Sequence, residues 1–127
     1  MQTITIGLSA EHEHIVTNKM SAIEMGSGNV LVYATPVMIA HMEAAAVDAI
    51  AHLLAVTETS VGTLVNVRHL VATGLGKTVK IRAEVTAVDG RQISFSVQAW
   101  DDRQLIGDGT HIRVVVDKER FMQRVNG

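Results

Sequence analysis

The chain has 127 residues, 47% of them hydrophobic and 19% charged, a globular profile of one domain's size and too apolar for disorder. A formal net charge of −2 gives no electrostatic footprint for nucleic acid or an anionic membrane. The lack of cysteine excludes disulfides, thiolate nucleophiles, Cys-type zinc sites and iron–sulfur clusters. Residues 1–10 hold no basic cluster followed by an apolar core, and no apolar run reaches the roughly 20 residues of a membrane helix, so the expectation is one soluble, cytoplasmic domain over residues 1–127.

Residues 2–6 alternate and read as a short strand, and residues 11–18 read as another. Gly26-Ser27-Gly28-Asn29 is a turn signal, after which residues 30–34 lead into Thr35-Pro36. A threonine hydroxyl can cap a free helical N–H and proline suits the first helical position, so a helix is expected from Pro36 to about Leu54, built from Ala, Met, Leu and Glu. Beyond Thr57 the apolar period changes to two, with Val61, Thr63, Val65, Val67, His69 and Val71 on one expected strand face. After a turn at Gly74-Leu75-Gly76, Val79, Ile81, Ala83 and Val85 alternate with polar residues. Asp89-Gly90 signals a hairpin, and Ile93, Phe95, Val97 and Ala99 alternate in the same way. A turn at Asp101-Asp102 precedes a last strand over residues 104–116, bent near Gly107 and Gly109, and Asp117 is placed to cap a short terminal helix running through Arg124. One long apolar helix followed by an antiparallel meander with a wet face is an α+β layer arrangement, the helix covering the dry side.

On a helical wheel His41, Asp48 and His52 form the polar stripe, whereas Glu43 lies about 200° from His41 among Ile39, Ala40, Val47, Ile50 and Leu54. A carboxylate on a face expected to be buried is either paired with a donor, placed at the helix edge, or held as a general base or nucleophile. His69 is the one imidazole on an otherwise apolar strand face. Thr35, Glu43 and His69 together could surround a carbonyl whose developing oxyanion the helix N-terminus would favour.

Other features carry less. Gly76-Lys77-Thr78 resembles the end of a phosphate-binding loop, but Val71 stands where the required glycine should be and a strand follows, leaving Lys77 as a simple charge for a ligand phosphate. His12 and His14 lack a third ligand at metal-binding spacing and read as solvated. His41 and His52 are about 16 Å apart along the helix, too far to share an ion. His111 has no identifiable partner, and Arg68, Arg82, Arg91 and Arg113 read as solvated strand-face charges.

The run Tyr33-Ala34-Thr35-Pro36-Val37-Met38-Ile39-Ala40-His41-Met42-Glu43, with Val61-Gly62-Thr63, Val67-Arg68-His69, Gly109-Thr110-His111 and Asp117, resembles hot-dog-fold acyl-CoA thioesterases of the fluoroacetyl-CoA thioesterase type. The resemblance implies a hot-dog fold, a long central helix wrapped by a curved antiparallel sheet, in a homodimer or tetramer with sites at the subunit interface. It implies hydrolysis of a small acyl-CoA thioester, with no cofactor beyond the coenzyme A of the substrate and no metal. Thr35 would position or polarise the substrate near the carbonyl, Glu43 would act as nucleophile or as general base for water, His69 would stabilise the acyl oxygen or assist the leaving group, and Gly62 would leave room for substrate. Fluoroacetyl-specific members carry an aromatic lid ahead of the helix. Residues 22–31 contain no aromatic residue, which implies another short or medium acyl chain. An enoyl-CoA hydratase or dehydratase, or a non-catalytic acyl-CoA-binding module, would use the same fold.

Overall fold

The period-two segments form the sheet. In the computed structural model, which describes residues 1–127, strands β1 (Ser9–Ile15), β2 (Glu58–His69), β3 (Thr78–Asp89), β4 (Gln92–Trp100) and β5 (Leu105–Asp117) pair antiparallel in the order β1-β3-β4-β5-β2. Alternation decides which side is dry: Val79, Ile81, Ala83 and Val85 of β3 and Ile93, Phe95, Val97 and Ala99 of β4 are all buried, while their polar neighbours face out. Between β3 and β4, Asp89 pairs with Gln92, and Gly90 takes φ +60° at the first loop position. A two-residue hairpin with glycine in that place matches the twist of its strands.

The helix α2 (Thr35–Ala51) crosses the dry side and buries Met38, Met42, Ala45, Ala46, Ala49 and Ile50. The sheet curves round it as the hot-dog expectation requires. Gly107 permits the close approach: a Cβ there would stand 2.6 Å from Met38 Sδ. A four-residue helix α1 (Ala22–Met25), capped by Ser21 Oγ accepting from the Glu24 N–H at 3.2 Å, precedes α2. A terminal helix α3 (Lys118–Asn126) starts at Asp117, whose side chain accepts from the Arg120 N–H at 3.0 Å as expected.

Four sequence expectations need correction. Residues 2–6 are not a strand; Gln2 N–H bonds to Leu53 O and Ile4 is buried without a ladder. Thr35 is not the helix cap. Ala34 holds that position, and Thr35 is the first helical residue, its hydroxyl free for another partner. The inward face of β2 is also different, because a bulge lies between Gly62 and Leu64. The extra residue, Thr63, shifts the alternation by one, so Ser60 and Gly62 share the helix-facing side with Val65, Val67 and His69, while Val61 turns outward. Finally, α2 ends at Ala51, not Leu54.

Candidate active site

The unused Thr35 hydroxyl meets His69, the last residue of β2: Thr35 Oγ1 and His69 Nδ1 are 2.7 Å apart. This joins the helix N-terminus to the strand end. His69 Nε2 is buried and has no hydrogen-bond partner. Burial lowers the pKa of His69 below its ordinary 6.5, with a smaller opposing effect from the Val71 backbone, so the ring is neutral at pH 7. Thr35 and His69 lie on a cleft of about 270 Å³ whose other walls include Ala22, Gly28, Val30, Tyr33 and Val71. No charged residue lines that cleft. Because Thr35 opens α2, the positive end of the helix dipole lies there too.

Glu43 is elsewhere, eight residues on and therefore about 12 Å along the helix axis. It is not an unpaired carboxylate in a dry face. Its side chain is 40% exposed, and Arg113 Nη1 donates to Oε2 at 2.9 Å. The flank that carries it, with Ile39, Ala40 and Val47, is itself partly open, whereas the buried stripe centres on Met42. An α2 that is apolar nearly all round gave the wheel no contrast from which to choose the buried side.

Sequence reasoning missed Arg113 and His111. Arg113 is not a solvated charge. It is buried, with Nε donating to Ser60 Oγ at 2.8 Å and Nη2 to Ser60 O at 2.9 Å. Nη1 also approaches His111 Nε2 at 3.1 Å, while His111 Nδ1 faces Leu64 O at 2.7 Å. Both contacts fit a neutral His111 that donates from Nδ1 and accepts at Nε2. Burial is the main cause of its lowered pKa, the Leu64 carbonyl opposing and the Arg113 charge adding to it. Gly62 belongs to this second cluster. A Cβ on it would lie 2.9 Å from Glu43 Oε2 and 3.1 Å from His111 Cε1, so the room it leaves is for the carboxylate. One signal was available: counting back by two from Val115 puts Arg113 and His111 on the dry face of β5.

The remaining candidates separate. Lys77 is exposed in a different cleft, with Thr73, Asp101 and Arg103, away from His69. His12 and His14 are not free in solvent: His12 Nε2 lies 2.5 Å from Asp48 Oδ2, and His14 stacks on His41 at 3.6 Å. No group of three or more His, Cys, Asp or Glu side chains is arranged to hold a metal ion. Arg68, Arg82 and Arg91 pair at the surface with Asp108, Glu84 and Glu58. No helix is long and apolar enough to cross a membrane.

A long helix wrapped by a curved five-stranded antiparallel sheet is the hot-dog fold of thioesterases. Residues 16–119 match the family model of the fluoroacetyl-CoA-specific thioesterase, and the chain belongs to that family. It is 44% identical over 94 residues to a fluoroacetyl-CoA thioesterase from Streptantibioticus cattleyicolor, across 74% of this chain and 68% of the relative. A solved fluoroacetyl-CoA thioesterase superposes with a TM-score of 0.91 at 34% identity, covering 98% of this chain and 97% of that one. A thioesterase superfamily member from Thermus thermophilus gives 0.90 at 30% identity, covering 99% and 96%.

Proposed function

We propose that this acyl-CoA thioesterase hydrolyses its substrate with Thr35 and His69 of one protomer and Glu43, held by Arg113, of a second. The observation that carries the reading is the orphaned Nε2 of His69, shielded from water while Nδ1 is fixed by the Thr35 hydroxyl. A buried polar atom without a partner is costly, and a thioester carbonyl oxygen accepting from Nε2–H would satisfy it. Negative charge that develops on this oxygen is favoured by the α2 N-terminus. Glu43 Oε2 is taken by Arg113, whereas Oε1 makes no hydrogen bond and is free to accept a proton from water or to attack the carbonyl carbon. Attack gives a tetrahedral intermediate. Its collapse breaks the C–S bond, releases CoA and leaves the acid, directly or after water cleaves a glutamyl anhydride.

Within one chain the two halves are too far apart to share a carbonyl. Both lie beside β2, the sheet edge that carries exposed Leu64 and Val65. An antiparallel two-fold pairing of β2 with its copy, centred on Asn66 and skipping the bulged Thr63, sets residue 62 opposite residue 69. An isologous contact would thus bring each Glu43 to the partner's His69. A homodimer, alone or within a tetramer, is part of the proposal, as is a cytoplasmic setting with CoA present only as substrate.

The cleft beside His69 is lined by Ala22, Gly28, Val30 and Val32, small and aliphatic residues that suit a short or medium alkyl chain. Thiol release should be measured over acyl-CoAs from acetyl to palmitoyl, with Glu43→Ala in parallel. Release that peaks at one length and disappears in the variant supports the reading; release that persists in Glu43→Ala overturns it.

A further inference from the structure

Tyr33 is one of only four aromatic residues in the chain, and it is buried at 1% exposure between the two residues of the Thr35–His69 pair and the first strand. Its ring meets the His69 ring edge-on, with centroids 6.2 Å apart and planes at 82°. Its hydroxyl lies 2.5 Å from His41 Nδ1. His41 in turn lies flat on His14 of β1, with centroids 3.6 Å apart and planes within 3°. A line of rings thus runs from β1 through α2 to the end of β2.

The proton in the central link can be assigned. Burial raises the Tyr33 pKa far above neutrality, so the phenol keeps its hydrogen. His41 is pushed down to about 4, mainly by burial and then by His14 and His12, so its ring is neutral. The groups facing His41 are Tyr33, which precedes its helix, and His14 and His12 from β1, with Asp48 two turns on holding His12. Tyr33 therefore donates its O–H to His41 Nδ1, which fixes the phenol's orientation.

We propose that Tyr33 and His41 are positioning residues for thioester hydrolysis: the phenol, anchored by its hydrogen bond to His41, holds the His69 imidazole plane so that Nε2 faces the acyl carbonyl. The inference rests on the reading of His69 as the residue that meets that carbonyl. The ring of His69 has two side-chain constraints, the Thr35 hydroxyl and the Tyr33 edge. Thr35 fixes one nitrogen; rotation about that hydrogen bond is checked by Tyr33. Orientation errors of this kind lower the chemical step more than substrate binding.

The test is steady-state thiol release from the best short acyl-CoA by wild type, Tyr33→Phe, His41→Leu, His41→Asn and His69→Ala. Tyr33→Phe and His41→Leu are expected to lower kcat about ten-fold with KM within about two-fold. His41→Asn, whose Oδ1 can accept in place of Nδ1, is expected to recover most of the loss. A role confined to packing would lower thermal stability without this split or this rescue. Tyr33→Phe differs by one oxygen and keeps the ring, so it decides the matter even if His41→Leu does not fold. Wild-type kcat in Tyr33→Phe, or equal losses in the two His41 variants, overturns the inference. Full activity in His69→Ala instead overturns the underlying reading of His69.

Discussion

A methyl group at position 62 would stand 2.9 Å from Glu43 Oε2, so Gly62→Ala must displace the carboxylate from Arg113 or bend the strand. Its cost should appear in turnover, because the flexible carboxylate is what gives way, and also as a smaller loss of thermal stability, because the buried His111 ring stands 3.1 Å from the added methyl. Glu43→Gln keeps the shape and removes the charge; thiol release should fall at least about 100-fold, the usual size of a lost general base. Arg113→Met should lower both turnover and stability. It removes a buried guanidinium that donates to Ser60 Oγ, Ser60 O and Glu43 at once, and the buried Ser60 acceptors left without a donor should lower stability by about 2–3 kcal/mol by urea titration. Thr35 drew attention in the sequence as a helix-start threonine, Glu43 as a carboxylate on a face expected to be buried and His69 as an imidazole on an apolar strand face, and the structure changes the reason for the first two. Their partners did not stand out. Arg113 reaches Glu43 across 70 positions and Ser60 across 53, and no local period reports on contacts so distant in the chain.

For the elements, local alternation was enough where a strand is regular. β3 and β4 present Val79 to Val85 and Ile93 to Ala99 to the core without interruption, and both faces were legible. β2 was legible as a strand but not in its facing. The bulge at Thr63 is imposed by pairing with β5, which no property of β2 alone announces. The same pairing depends on Gly109, where a Cβ would clash with the Asn66 carbonyl oxygen and the Val67 backbone. Gly109→Ala should therefore loosen β2 from β5, with a loss of about 3 kcal/mol or more and a matching rise in amide exchange along β2. Gly74→Ala is the control: nothing lies within 4 Å of its added methyl, and stability should stay within about 0.5 kcal/mol of wild type.

Across the whole molecule, four histidines share one direction of shift. His14, His41, His69 and His111 all have folded-state pKa values below 6.5, burial being the leading cause in each. Between 6.5 and about 4, the value for His41, the unfolded chain binds more protons than the folded one, so stability rises with pH through this window and is lost as pH falls. The urea midpoint should be level above pH 7 and decline steadily between pH 6.5 and 4.5. His41→Asn should flatten part of that slope. Thiol release should fall on the acid side as well, since His69 must stay neutral to present Nε2–H without a competing charge.

The two margins of the sheet differ. β2 offers Leu64 and Val65, while β1 places Glu11 and Glu13 among its exposed positions and ties Glu11 to Arg82. Like charges along a free strand repel a second strand that would add there. Strand addition is therefore disfavoured at β1 and not opposed by such charges beside Leu64 and Val65 of β2. In the proposed dimer Glu11 and Glu13 would lie at both outer margins, where neutralising them is expected to favour the addition of a further strand.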